Sequence, residues 1–359
     1  MLAKVQAAVP FALRQRVPSR LVPLIAISTL LALCFLFFGS PDSLSWGPEP
    51  SQQHHQQLVP TRPSVPPVVQ QPEQPQPTDG NHFSHQAPVD DIPKQIWYKL
   101  GPAGLTDKTR KWTDGCVRAN PDHVVHFMSD PNADDYVKSR FRATHPELVD
   151  MFLKLKVPIW KADILRYLLL LAEGGVYLDL DVSCEQPISK WIPEEYQGRA
   201  KLVVGWEFDI GWGDNIIRQF ATWTIVAAPG LPHVEAAIDH IMGNFREAMK
   251  KHNITDPAKL EKDMLGDVVD ATGPRAFTRG VMKHMQETYN TTYDEIKKIK
   301  EPKLTGDMLV MPGWAFALSV NTKYKEVFGE DFKIPPPLVK HHYAGTWKND
   351  KGGEDVKSS

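Results

Sequence analysis

Leu168-Leu169-Leu170-Leu171-Ala172-Glu173-Gly174-Gly175-Val176-Tyr177-Leu178-Asp179-Leu180-Asp181-Val182 decides the fold of this 359-residue chain. An apolar, helix-like run meets two glycines, and a strand-like run carrying two aspartates follows. Helix, sharp turn and strand make one unit of an α/β layer. If the second run is extended, its side chains alternate. Asp179 and Asp181 then share one face, and Leu178, Leu180 and Val182 share the other. Two carboxylates held a few ångström apart repel each other unless a cation or proton sits between them. A hard divalent metal answers that need, with water and a ligand's phosphates completing its oxygen shell. The pair therefore points to an enzyme that handles a phosphorylated donor.

The surrounding sequence repeats the alternation. Residues 94–98 and 123–127 predict strands with a helix over 106–119 between them, and residues 161–172 predict the helix before the glycines. Strands over 202–206 and 223–227 follow, then helices over 232–250 and 265–286. Such alternation implies a largely parallel sheet, whose ligands bind beyond the carboxyl ends of the strands. No Gly-x-Gly-x-x-Gly or Gly-Lys-Ser/Thr loop occurs, so a dinucleotide-binding fold or a P-loop is not supported.

The first 90 residues speak to the compartment. Leu21 to Phe38 is an uncharged, apolar run, roughly 27 Å long as a helix. Lys4, Arg14, Arg16 and Arg20 precede it, and no basic residue follows until Arg62. By the positive-inside rule, residues 1–20 stay cytoplasmic, 21–38 form a transmembrane signal anchor, and the remainder enters a lumen. A signal peptide cleaved near Gly39-Ser40 is the simpler alternative, against which the length of the run argues. Residues 39–90 are rich in Pro, Gln and His and predict a disordered stem. Residues 91–348 then form the catalytic domain and 349–359 a short disordered tail. Sequons at Asn253 and Asn290 agree with lumenal exposure. A net charge of −2 without a Lys/Arg run excludes nucleic acid as the expected partner. Of three cysteines, Cys34 lies in the apolar run; Cys116 and Cys184 admit one disulfide in an oxidising compartment, although sequence alone does not join them.

Asp163 and Arg166 lie three residues apart and project from one helical face. On a surface such a pair is worth little. Here Ile164, Leu165, Leu168, Leu169 and Leu171 make the helix apolar nearly all round, so the pair is expected to face a polar site; structural pairing is the alternative. The segment Trp206-Glu207-Phe208-Asp209-Ile210-Gly211-Trp212-Gly213-Asp214 combines flat aromatic platforms with carboxylates, which suits sugar faces and hydroxyls. Glu207, Trp212 and Asp214 are acceptor candidates and Asp209 is a catalytic candidate, while Trp206 reads as core. Nothing in the sequence selects a covalent nucleophile.

Five ordered segments resemble glycosyltransferase family 32. They are Ile92-Pro93-Lys94-Gln95-Ile96-Trp97, Lys161 to Tyr167, Gly174 to Asp181, Ala271-Thr272-Gly273-Pro274 and His341-His342-Tyr343-Ala344-Gly345-Thr346-Trp347. Within that family the chain is most similar to the fungal initiation-specific α-1,6-mannosyltransferases. The resemblance implies a GT-A (Rossmann-like, nucleotide-sugar-binding) α/β fold, GDP-mannose as donor, Mn²⁺ as metal and retention of anomeric configuration. Asp179 and Asp181 match the metal and diphosphate motif and, with Arg166 and Asp209, form the expected catalytic set. Asp163, Arg166 and Trp347 match donor-contacting positions. One tail histidine is expected to reach the metal. Adjacent residues in an extended segment face opposite ways, and the sequence does not choose between them; His342 is carried as the candidate. Where many family members read His-Gln-Thr-Trp after the opening segment, this chain has Gln95-Ile96-Trp97-Tyr98.

The expected protein is thus a single-pass type II Golgi membrane enzyme that transfers mannose to an N-glycan, with room for a complex with other mannosyltransferases. Two rivals stand beside it: a mannosyltransferase acting on inositol-phosphoceramide, and a non-catalytic subunit of a mannosyltransferase complex. Family members of the first kind carry further hydrophobic spans, and no run past Phe38 has that length.

Overall fold

In a computed structural model, which describes residues 91–213, 215–345 and 348, apolar residues alternate along each central strand and bury both faces of one sheet. In chain order the strands are β1 (Gln95–Lys99), β2 (Val124–Met128), β3 (Gly175–Leu178), β4 (Val182–Cys184), β5 (Leu202–Gly205), β6 (Thr224–Ala227), β7 (Lys303–Thr305), β8 (Met308–Met311) and β9 (Val339–His341). The helices are α1 (Asp107–Ala119), α2 (Asp130–Phe141), α3 (Pro146–Lys154), α4 (Pro158–Glu173), α5 (Pro232–Lys251), α6 (Val268–Ala271), α7 (Pro274–Tyr289), α8 (Tyr293–Ile296), α9 (Gly313–Ala317) and α10 (Tyr324–Phe328).

Seven strands form a sheet in the order β2-β1-β3-β6-β5-β8-β7, and β4 pairs with β9 in a separate two-stranded ribbon. Pairs β1–β2, β1–β3 and β5–β8 are parallel, whereas β3–β6, β5–β6 and β7–β8 are antiparallel. The expectation of a largely parallel sheet is therefore corrected to a mixed one. β6 returns directly from β5 through the segment 206–223 and inserts beside β3. The direction of the other central strands survives, so the carboxyl ends of β3 and β5 still open on one edge. Period-two burial is complete: Val176 and Leu178 join one core with Ile96, Val203 and Leu309, while Tyr177 joins the other with Leu202, Val204 and Val310.

The quoted segment folds as a hinge between two buried elements. Pro158 opens α4 with a pre-set φ, and Gly174 ends it at φ +66°. A Cβ on Gly175 would lie 2.5 Å from Gln95 Cγ and 2.7 Å from Gln95 O, so no other residue fits there without displacing β1. The carbonyl of Gly174 accepts from Trp97 Nε1 at 3.0 Å, and that of Glu173 from Gln95 Nε2 at 2.6 Å. The opening strand thereby grips the turn that delivers the aspartates.

Two further expectations are corrected. β3 stops at Leu178, so Asp179 and Asp181 occupy a turn rather than one face of a strand. The helix expected over 265–286 is broken at Thr272-Gly273 into α6 and α7, with Pro274 restarting it. α7 lies against α5 so closely that a Cβ on Gly280 would be 2.4 Å from Ala237 Cα. The expected tail, anchor, stem and C-terminal tail (1–20, 21–38, 39–90, 349–359), together with Asp214 and Trp347, lie outside the described residues. Among the described residues no helix is long and apolar enough to cross a membrane.

Cys116 of α1 and Cys184 of β4 form a disulfide across 68 residues, with Cα atoms 4.9 Å apart. Cys116→Ser should lower stability by about 2–5 kcal/mol. Thermal unfolding of the two proteins without reductant is the check, and equal midpoints would show that the bridge does not stabilise the fold.

Candidate active site

The turn after β3 is built by its own backbone. The Asp179 N–H donates to Trp223 O at 3.0 Å, and the Val182 N–H returns to Asp179 O at 3.1 Å. β9 then runs antiparallel to β4 with His341 opposite Val182. This pairing carries the tail onto the aspartates. Asp181 Oδ1 lies 3.3 Å from His341 Nε2, its Oδ2 accepts from the Ala344 N–H at 2.8 Å, and its carbonyl accepts from the His342 N–H at 2.8 Å. Burial pushes the Asp181 carboxyl up, but His341 and the Ala344 amide outweigh it and leave it below its ordinary value. The His341 ring is stacked on Trp223 with centroids 4.1 Å apart, and its buried Nδ1 has no hydrogen-bond partner.

Donor atoms of Asp179, Asp181 and His341 all lie within 4.8 Å of one another. Two carboxylates and an imidazole are a donor set that suits a divalent cation, and His341 presents its Nε2 to that set, beside Asp181. His342, the tail histidine carried as the metal candidate, is not brought there. It stacks on Trp112 at 4.2 Å, and its Nε2 meets Ser183 Oγ at 3.0 Å. The sequence argument that only one of the two faces the site holds; the β4–β9 register selects His341.

Asp163 and Arg166 do reach the site, but as a support. Arg166 Nη1 donates to Asp163 Oδ1 at 2.7 Å and Nη2 to Asp179 Oδ1 at 2.9 Å. The other Asp163 oxygen accepts from Thr272 Oγ1 at 2.7 Å. Only 3% of Asp163 and 5% of Arg166 remains exposed. Burial raises the Asp163 carboxyl against the pull of Arg166 and Thr272, while burial of Arg166 is outweighed by Asp179, Tyr177 and Asp163, which keep it protonated. The expected donor contact through Asp163 is thus replaced by structural pairing, because both of its oxygens are occupied from within. The turn 271–274, one of the five resembling segments, is the part that closes this pair.

The segment 206–213 divides its acidic residues. Asp209 is fully buried and accepts from Arg218 Nε at 3.1 Å and from the Lys298 N–H at 2.7 Å. Asn321 Oδ1 accepts from the N–H groups of Asp209 and Ile210, and its Nδ2 donates to Glu207 O. The catalytic expectation for Asp209 is corrected accordingly: its carboxylate staples the loop. Trp212, an acceptor candidate, is 41% exposed and fastened through its indole N–H to Val320 O at 2.6 Å. Glu207 is the acidic residue that faces the site. Gln219 Nε2 donates to it at 2.5 Å, and burial pushes its carboxyl up to about 7 against the pull of Gln219, His341, Lys348 and Arg275. Sequence reasoning missed Trp223, which read only as strand, and Gln219, Arg275 and Asn321, which carry no motif. Tyr343, packed on His341 at 4.0 Å, was present in the tail segment without a role.

Residues 106–197 match the family model described as a glycosyltransferase sugar-binding region containing the DXD motif. The chain carries the DXD-containing sugar-binding region of that glycosyltransferase family. Its DXD is Asp179-Leu180-Asp181, and the matched region takes in α4 with Asp163 and Arg166. The chain is 33% identical to the initiation-specific alpha-1,6-mannosyltransferase of Schizosaccharomyces pombe over 72% of its own length and 65% of that protein's. It is 29% identical to the protein of the same name from Candida albicans, over 75% of this chain and 76% of that protein. A shorter likeness, 30% identity over 32% of the chain and 30% of the relative, links it to the mannosyl phosphorylinositol ceramide synthase CSH1 of Saccharomyces cerevisiae. The chain thus spans just under two thirds of the S. pombe relative.

Two expected outcomes test the glycosyltransferase site as built here. Thr272→Val removes one donor to a buried carboxylate and should cost about 1–3 kcal/mol, read by chemical denaturation. Glu207 titrates at about 7 when folded against an ordinary 4.5. Between those pH values the folded state holds a proton that the unfolded state has released, so stability falls as pH rises through the window. The full loss is on the order of 3 kcal/mol. Glu207→Gln should abolish that slope, and an unchanged pH profile of unfolding would refute the assignment.

Proposed function

We propose that this chain is a retaining hexosyltransferase of GT-A type that transfers mannose from GDP-mannose to an N-glycan acceptor, in α-1,6 linkage, in the Golgi lumen. The observation that carries the reading is the joining of Asp179, Asp181 and His341 at the sheet edge, with Arg166 locked behind Asp179. The names of the relatives support mannose as the transferred sugar and the α-1,6 linkage. The Cys116–Cys184 bridge, the two exposed sequon asparagines and the apolar run 21–38 support a membrane-anchored protein in an oxidising lumen.

Asp179, Asp181 and His341 would hold Mn²⁺, which supplies positive charge against the leaving diphosphate. The remaining work falls to this chain's own groups. Arg166 sets the direction of Asp179 and adds a fixed cation behind it. The Ala344 N–H and His341 orient Asp181. Glu207, half-protonated near pH 7, can accept or donate a hydrogen bond to a sugar hydroxyl. In the transfer the bond between mannose C1 and the diphosphate oxygen breaks, a bond from C1 to the acceptor oxygen forms, and the hydroxyl proton is released with GDP.

The CSH1 likeness favours one second reading, an inositol-phosphoceramide acceptor. Both readings are tested with the purified full chain, Mn²⁺, labelled GDP-mannose and a panel of oligomannose and inositol-phosphoceramide acceptors. Transfer to oligomannose is expected, EDTA should stop it and added Mn²⁺ should restore it. Asp181→Ala should reduce turnover by at least ~10²-fold with its unfolding midpoint still measurable. Wild-type protein that binds GDP and Mn²⁺ yet transfers to no acceptor would overturn the enzymatic reading.

A further inference from the structure

Two large aromatic side chains stand partly open on the β5 side of the aspartate–histidine cluster. Tyr343, two residues past His341, is 39% exposed, and Trp212 in the segment after β5 is 41% exposed. Both are fastened to the two residues that precede Asn321. The Trp212 indole N–H donates to Val320 O at 2.6 Å, and the Tyr343 hydroxyl lies against the Ser319 side chain. Asn321 itself donates to the Glu207 carbonyl at 2.7 Å. One short segment thus sets two aromatic rings and the backbone of Glu207 relative to one another. Each ring is also held by a neighbour: Trp212 meets Phe208 edge-on at 4.8 Å, and Tyr343 meets His341 at 4.0 Å and Trp223 edge-on at 5.6 Å.

The backbone singles out Tyr343. Its φ of +48° lies in the left-handed region, which a bulky residue rarely adopts. Asp181 enforces that twist from both sides, its carbonyl taking the His342 N–H and its Oδ2 the Ala344 N–H. A strained residue over-determined by its neighbours is characteristic of a ligand clamp. Position along the sheet then narrows the ligand. The aspartate turn follows β3, with the parallel β1–β2 pair on one side and β6 and β5 on the other. A nucleotide suits the parallel α/β side. On the β5 side, aromatic platforms beside the carboxyl of Glu207 suit sugars, whose apolar ring faces stack and whose hydroxyls hydrogen-bond acids. Two platforms serve two sugars of a chain, whereas a single inositol ring would use one.

We propose that Tyr343 and Trp212 are the platforms on which two neighbouring sugar rings of a glycan acceptor stack, with the Tyr343 ring, next to the cluster, under the sugar that receives the transferred hexose. The proposal rests on the mannosyltransferase reading and deepens it by placing the acceptor and naming Tyr343 as a specificity-determining residue. In the full chain, Tyr343→Ala and Trp212→Ala should each raise the KM for an oligomannose acceptor at least ~10-fold, with the KM for GDP-mannose within about twofold of wild type. Tyr343→Phe keeps the ring and should hold the acceptor KM within about threefold. Because Tyr343 touches His341, the Mn²⁺ concentration for half-maximal activity separates loss of a platform from displacement of a metal donor; it should not move. An acceptor KM unchanged in either alanine variant, or a rise in the GDP-mannose KM or the Mn²⁺ requirement, overturns the assignment. Saturation-transfer NMR keeps the site testable without turnover. Free oligomannose should bind wild type and Tyr343→Phe and be lost in both alanine variants, while GDP binds every one of these proteins. No oligomannose binding by wild type, equal binding by an alanine variant, or stronger binding of glycerophosphoinositol refutes the platforms. Wild-type transfer with unaltered variants would sink the platforms and leave the mannosyltransferase reading standing; variant-sensitive oligomannose binding without transfer would do the reverse.

Discussion

Arg166 lies between two carboxylates, Asp163 and Asp179, where almost no solvent reaches. Neither Asp163 nor Arg166 is tolerable alone: a buried charge stripped of its partner costs about 3–5 kcal/mol. The trio must therefore form together, and its members come from α4, from the turn after β3 and, through Thr272, from the break between α6 and α7. Replacement of such a set by apolar residues is often neutral for stability, so the consequence of keeping it lies elsewhere. It fixes where Asp179 points. With the Arg166 guanidinium also 4.9 Å from the centre of the Tyr177 ring, the cation has no second place to go.

That constraint explains which parts of the molecule were readable in advance. The α4–Gly174-Gly175–β3 hinge was legible because each residue states a local requirement: apolar helix, positive φ, apolar strand. The same local logic failed one residue later. Alternation placed Asp179 and Asp181 on a strand face, but the turn closed by Val182 N–H to Asp179 O is made possible by Trp223 O, 44 residues away at the entrance to β6. β6 itself was visible as a strand and its direction was not, since antiparallel return from β5 depends on how the intervening loop folds. Helix periodicity carried smoothly across 265–286, but Pro274 keeps Gly273 out of the helical region and breaks the chain there, which leaves Thr272 to donate to Asp163.

The loop between β5 and β6 shows how two similar acidic residues acquire different fates. Asp209 and Glu207 are two positions apart and both buried. Asp209 meets Arg218 and a backbone amide, so its charge is consumed in holding the loop. Burial raises the Glu207 carboxyl to about 7, because the pull of the Gln219 amide and of His341, Lys348 and Arg275 does not offset it. Composition alone ranks the two equally. What separates them is Asn321, whose side chain takes the Asp209 and Ile210 amides on one side and donates to the Glu207 carbonyl on the other, setting the direction of the chain between them.

The choice between His341 and His342 turns on a register, and the register is tied to a disulfide. Cys184 pairs with Val339, two positions from the His341–Val182 pair, and Cys184 is bonded to Cys116 in α1. A two-stranded ribbon of three residue pairs is weak by itself. A slip by one residue would turn His341 away and bring His342 in, because neighbouring side chains face opposite sides. The bridge holds β4 against α1, and Trp112 of the same helix stacks on His342 and retains it on the outer side. The oxidised cysteine pair thereby does more than cross-link the chain: it helps to keep the imidazole that meets the aspartates the correct one.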